Sequence, residues 1–172
     1  MRRTDNLWLL YWFAFALVCC AATPGASADG PELADRVVVN KSARWLRLYS
    51  GDDILREFPI ALGAEPQGDK FKEGDNKTPE GAYSLEERNT ESAFFLSIRI
   101  SYPSSADRQQ AQALGVSPGG QIMIHGQPNV PKYTPGFYAR NDWTNGCIAV
   151  SNIAMIDIWL MTAPGTPIEI LP

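Results

Sequence analysis

From residue 35 onward, apolar and polar positions alternate in short runs separated by turn residues, a period of two that predicts a chain built mainly of strands. Arg36–Asn40 and Trp45–Tyr49 are β-rich, the second setting Leu46 and Leu48 against Trp45, Arg47 and Tyr49. Ser50-Gly-Asp-Asp53 then supplies a turn into Ile54–Leu62. Gly63–Lys77 is polar and glycine-rich and reads as a loop, which Thr78-Pro79-Glu80-Gly81 ends before a strand over Ala82–Glu86. Phe94–Ile100 is a further buried run, and Gln121–His125 and Pro167–Leu171 are later strands. Two segments break the period. Ser104–Leu114 holds good helix formers and stops at Gly115, and Ser151-Asn152 can cap an apolar helix from Ile153 to about Met161. Short strands with two small helices predict a sheet-on-sheet or barrel-like domain.

The first 28 residues do not belong to that pattern. Arg2 and Arg3 precede an unbroken apolar stretch from Leu7 to Ala22, followed by Ala26-Ser27-Ala28, the small-x-small form that a signal peptidase cuts. The stretch has 16 residues, short of the roughly 20 that span a bilayer as a helix, so cleavage near Ala28 is expected rather than a retained anchor. Neither Cys19 nor Cys20 follows the small residue expected before a lipidated cysteine. Removing the leader takes Arg2, Arg3 and Asp5, leaving 13 basic and 18 acidic side chains on residues 29–172. That is an ordinary acidic surface with no basic patch for phosphates, so nucleic acid is not an expected partner. The expected organisation is a signal peptide (1–28), a short linker (29–34) and one domain (35–172), exported to the periplasm or cell surface and monomeric.

Export changes the meaning of the cysteines. Cys19 and Cys20 leave with the leader, so Cys147 remains unpaired in an oxidising compartment, where structural cysteines usually occur as disulfides. His125 is the chain's one histidine. An imidazole can take a thiol's proton and hold the pair as thiolate and imidazolium, and the offset of 22 positions from His125 to Cys147 leaves room for a strand end, a loop and a return. Gly146 permits a tight turn before the sulfur, so that nearby amides could face a developing oxyanion, an arrangement suited to acyl transfer. The plainer alternative is that Cys147 is a small core hydrophobe and His125 a satisfied strand residue. The two residues beside glycines, in an exported chain, favour catalysis when taken together.

These residues resemble a known family. His125-Gly126, then 17 residues, then Thr144-Asn-Gly-Cys147 is similar to the signature of the YkuD-type L,D-transpeptidase catalytic domain. Gly74-Asp-Asn-Lys-Thr-Pro-Glu-Gly81, Phe95-Leu-Ser-Ile-Arg-Ile-Ser-Tyr-Pro103 and Asp142-Trp-Thr-Asn-Gly-Cys-Ile-Ala-Val-Ser-Asn152 extend the likeness to the YafK-like or ErfK/YbiS-like branch. The resemblance implies a mainly β, β-sandwich-like domain of mixed sheets with two or three short helices. It implies peptidoglycan stem peptides as substrates, with Cys147 attacking the carbonyl of the L-centre of the third residue. His125 would be the base, the Gly126 carbonyl would fix its tautomer, and the amides of Asn145, Gly146 and Cys147 would form the oxyanion hole. The thioacyl group would pass to an amine, making a crosslink or attaching a protein, or to water. No metal or organic cofactor is implied, and carbapenem-type inhibitors are.

Two positions depart from the family box. Asn145 stands where its second histidine does, and Ala149 where an arginine is usual, so a hydrolase with the same nucleophile and a non-catalytic wall-binding module remain alternatives. The intervening loop offers rings and cations for a peptide: Tyr133, Arg140 and Trp143, together with Thr144 of the box, are the candidate substrate contacts. The alternative is that the rings only cover the core and the cations are solvated. Asn152 reads as a helix cap. Gly68–Gly74 lacks the Gly-Lys-Ser/Thr ending of a phosphate loop, one histidine and one cysteine make no zinc site, and a serine triad lacks its Gly-x-Ser-x-Gly elbow.

Overall fold

The computed structural model describes residues 30–172; the leader lies outside the described residues. Eight strands run β1 (Arg36–Asn40), β2 (Trp45–Ser50), β3 (Asp53–Pro59), β4 (Gly81–Ser92), β5 (Phe95–Ile100), β6 (Met123–His125), β7 (Ile148–Ala149) and β8 (Pro167–Leu171). Three short helices join them: α1 (Ser105–Ala113), α2 (Pro135–Arg140) and α3 (Asn152–Met161). The strand order is β3-β2-β1-β8-β4-β5-β6-β7. β1 pairs with β8, and β6 with β7, in parallel, while the other ladders are antiparallel, so the sheet is mixed.

The long strand β4 gives the sheet its two halves. Gly81–Ser84 pairs with β8, whereas Leu85–Ser92 turns to β5 with two register shifts, the mark of bulges that bend a strand from one layer into the next. Beyond β3, Ala61 bridges to Ala149 of β7, bringing the two outer strands of the order toward each other. Alternate side chains fill the space between: Val37, Val39, Leu46, Leu48, Leu85, Ile98, Ile100, Ile124, Ile148, Ile168 and Ile170 are all buried. Helix α3 packs against β5 and buries Ala154, Met155, Ile158 and Met161. Ser104 caps α1 in a capping box with Asp107, and Ser151 caps α3.

The strand expected over 82–86 runs to Ser92, because the polar residues after Glu86 gain ladder partners on β5. The strand expected to reach Leu62 ends at Pro59. Helix α2 lies inside a stretch that the sequence presents as loop; Pro135 begins it, where a missing N–H costs nothing. No described helix is long and apolar enough to cross a membrane.

Candidate active site

Strands β6 and β7 bring the two chemical residues together. Ile124 pairs with Ile148 and His125 with Ala149 in parallel register. Ile124 and Ile148 point into the core, so alternation turns His125 to the other face of β6, and Cys147 immediately precedes β7. His125 is 4% exposed, packed between the ring of Phe94, 4.6 Å away, and that of Trp143, 5.6 Å away. Its Nδ1 lies 2.7 Å from the Gly126 carbonyl. A carbonyl only accepts, so Nδ1 carries the proton and Nε2 offers its lone pair.

Gly126 fits a space that no side chain could share. A Cβ there would stand 2.6 Å from Asn152 Oδ1 and 3.0 Å from Phe95 Cβ. Asn152 is the first residue of α3, and its Oδ1 accepts from the Gln127 amide at 2.8 Å, while Gln127 Nε2 donates to the Val150 carbonyl at 2.6 Å. The cap of α3 is Ser151, so Asn152 ties the segment after the histidine to the segment after the nucleophile.

The turn that carries Cys147 is braced from within. Thr144 is buried; its hydroxyl donates to the Cys147 carbonyl at 2.8 Å and accepts from the Gly146 amide at 3.1 Å. The Thr144 backbone pairs with Leu62 and Ala64. Asp142 accepts from the Leu62 amide at 2.8 Å and pairs with Arg44 at 2.7 Å. Gly146 sits at φ +122°, and a Cβ on it would meet the Lys77 carbonyl at 2.5 Å, so loop 68–78 forms a floor beneath the turn.

The sulfur is partly exposed, and its thiol donates to the Gln121 carbonyl at 3.5 Å. Burial pushes the Cys147 thiol above its ordinary value, against smaller opposite effects from the Met123 amide and the Lys70 cation. Burial likewise pushes His125 down, opposed by the bond to Gly126. Both shifts favour uncharged forms. Burial therefore weighs against the ion pair expected from sequence, because the fold withdraws both groups from water.

The oxyanion donors also narrow. The Gly146 amide is occupied by Thr144, whereas the amides of Asn145 and Cys147 have no protein acceptor among the described residues. Thr144 is thus a brace in the turn, and its hydroxyl is committed inward. Trp143 walls His125 and meets the Tyr138 ring at 5.0 Å. Tyr133, 58% exposed and stacked on Phe137 at 4.2 Å, lines a cavity of about 390 Å³ together with Pro59, Ile60, Gln127, Tyr138, Ala149 and Val150. Arg140 is not on that wall; its Nε folds back to the Gly136 carbonyl at 3.1 Å on its own helix.

The sequence reading missed Lys70. It is 3% exposed and pairs with Asp75 at 2.7 Å, and Asp75 also accepts from the amides of Phe71, Lys72 and Lys77. The signal was the Asp69–Asp75 cluster of alternating charges, which resembles any solvated loop. No cluster of three or more candidate metal ligands occurs among the described residues.

Residues 34–170 match the family model of the YkuD L,D-transpeptidase catalytic domain. The chain belongs to that family. The L,D-transpeptidase domain is similar in structure to the helical cell shape determining protein Pgp2 from Campylobacter jejuni, with TM-score 0.60 and 26% identity over 83% of this chain and 51% of that one. It shares its fold with an L,D-transpeptidase from Mycobacterium smegmatis, at TM-score 0.52 and 15% identity over 79% of this chain and 58% of the other. It also shares it with LdtMt1, solved in complex with imipenem, at TM-score 0.50 and 16% identity over 78% and 57%. The domain therefore spans about half the length of these solved chains. No curated protein matches it in sequence.

Proposed function

We propose that this L,D-transpeptidase domain is an exported cysteine acyltransferase acting on peptidoglycan stem peptides through a thioacyl intermediate on Cys147. The observation that carries this reading is the His125 Nδ1 to Gly126 carbonyl bond of 2.7 Å, which leaves Nε2 free to act as a base on a residue paired with Ala149, two positions after the sulfur. As Cys147 attacks the carbonyl of the third residue, its proton passes to Nε2. The oxyanion meets the amides of Asn145 and Cys147, held by the Thr144 brace. The peptide C–N bond then breaks, and His125 returns the proton to the departing amine of the D-residue. An incoming amine gives up its proton to His125 and attacks the thioester, and the sulfur leaves and is reprotonated.

Hydrolysis by the same nucleophile is the second reading. Asn145 replaces a second imidazole, and Ala149 gives an apolar wall where a family arginine would set a positive charge. Release of a wall-linked protein belongs to this alternative. The likeness to Pgp2 supports a role in wall remodelling that affects cell shape.

The test is to incubate the purified domain with muropeptides, or with a carbapenem, and weigh protein and products. A thioacyl adduct that Cys147→Ala abolishes is expected, with crosslinked products for the transferase and water-derived products for the hydrolase. Muropeptide binding without any adduct or product would leave only the wall-binding module.

A further inference from the structure

A second cavity, of about 310 Å³, has Gln121 on its wall, and its character is opposite to that of the Tyr133 cavity. Its walls include Glu86, Arg99, Ser101, Tyr102, Arg108 and Gln121. Gln121 connects it to the chemistry, because the carbonyl that accepts the Cys147 thiol at 3.5 Å belongs to a residue of this wall. The Tyr133 cavity has no cationic side chain on its walls, whereas this one has two guanidinium groups from different elements, Arg99 of β5 and Arg108 of α1. Glu86 reaches Arg99 Nε at 3.1 Å, and Glu87 reaches its Nη2 at 3.8 Å. Arg108 has no carboxylate partner among the described residues. Arg99 is thus bracketed by two carboxylates, and Arg108 is the uncommitted cation on this wall.

We infer that this cavity is a carboxylate subsite, in which Arg108 and Arg99 hold a free carboxylate of the stem peptide while its scissile carbonyl lies against Cys147. The inference deepens the proposed function and rests on it for the identity of the peptide. Guanidinium groups suit this task, since their planar donors match a carboxylate's two oxygens. A cavity of roughly 300 Å³ accommodates about one small residue, which fits a single peptide end rather than a glycan. Glu86 turns Arg99 along the wall and repels a carboxylate seated too near the β4 side, leaving Arg108 as the principal contact.

The test separates recognition from reaction by using protein that cannot turn over. Cys147→Ala protein is titrated calorimetrically with a synthetic tetrapeptide stem and with versions amidated at one carboxylate at a time. The same series is run on Cys147→Ala carrying Arg108→Gln or Arg99→Gln. Binding of the free acid is expected to weaken about tenfold in Arg108→Gln. One amidated peptide should bind the parent equally weakly and lose nothing further in the variant, and its identity tells which carboxylate is held. Arg108→Gln removes no partner in the fold, so it remains interpretable if Arg99→Gln, which leaves Glu86 unpaired, lowers the melting temperature. Affinity for the free acid unchanged within twofold in both variants, equal weakening of every peptide, or no binding by the parent would overturn the subsite. If the binding pattern holds while Cys147 of the unmutated protein forms no thioacyl adduct, the subsite stands and the acyl-transfer reading falls.

Discussion

At the scale of single residues, the site's main property is that burial opposes charge on both reacting groups. His125 is held below its ordinary value of about 6.5 and Cys147 above its own, so burial works against an ion pair and toward neutral imidazole and neutral thiol. Alkylation of Cys147 by iodoacetamide at pH 7 should accordingly be slower than that of a free cysteine, rise as pH increases, and change little in His125→Ala. Thioacyl formation with a stem peptide should fall by about 10²–10⁴ in the same variant, because only that step needs the proton removed in concert. Its acid limb should lie below the usual histidine range, since a depressed imidazole stays unprotonated to lower pH. Fast neutral-pH alkylation that collapses in His125→Ala would instead reveal a resting ion pair. Gly146 tests the turn: Gly146→Ala puts a Cβ against the Lys77 carbonyl at a φ that L residues avoid. It should cost about 2 kcal/mol in urea unfolding, with loss of adduct formation.

At the scale of elements, loop 68–78 shows how a polar stretch can be as fixed as a strand. Burial alone would raise the Asp75 carboxyl, but the Lys70 ammonium and the amides of Lys72, Lys77 and Phe71 outweigh it and hold it below the ordinary range. Its contribution is present above the unfolded value of about 3.9 and is lost as pH falls through the lower folded value. Asp75→Ala strands Lys70 as a buried charge and should destabilise the domain by about 3 kcal/mol at pH 7, read from the denaturant midpoint. If the midpoint does not move, the loop is no floor. Sequence periodicity found β1, β2, β8 and α1 closely, because their alternation or capping is complete within the segment. It fell short on β7, only two residues long, and on the second half of β4, where Glu87–Ser92 carries no apolar alternation and the ladder with β5 decides. Helix α2, at six residues, is too short to show a period.

At the scale of the whole molecule, β8 is the strand on which the two halves depend. It lies between β1 and β4, parallel to one and antiparallel to the other, with Ile168 and Ile170 in the core. Deleting residues 167–172 removes both ladders at once. The truncated chain should therefore lose its cooperative thermal transition, followed by circular dichroism, and fail to form the Cys147 adduct although every site residue is retained. A truncated chain that melts cooperatively would mean that the halves are independent.

The sequence by itself determined that the chain is mainly strands and singled out His125 and Cys147 as its candidates for chemistry. Alternation and turn signals act over a few residues, and the lone His125 and Cys147 beside their glycines are a matter of covalent order. Only the tertiary structure decided how their segments come together and in which direction burial shifts them. The parallel β6–β7 register, the Thr144 brace that claims the Gly146 amide, the Asn152 tie and the buried Lys70–Asp75 pair all join segments far apart in the chain. Their proton equilibria follow from burial, which no single segment contains.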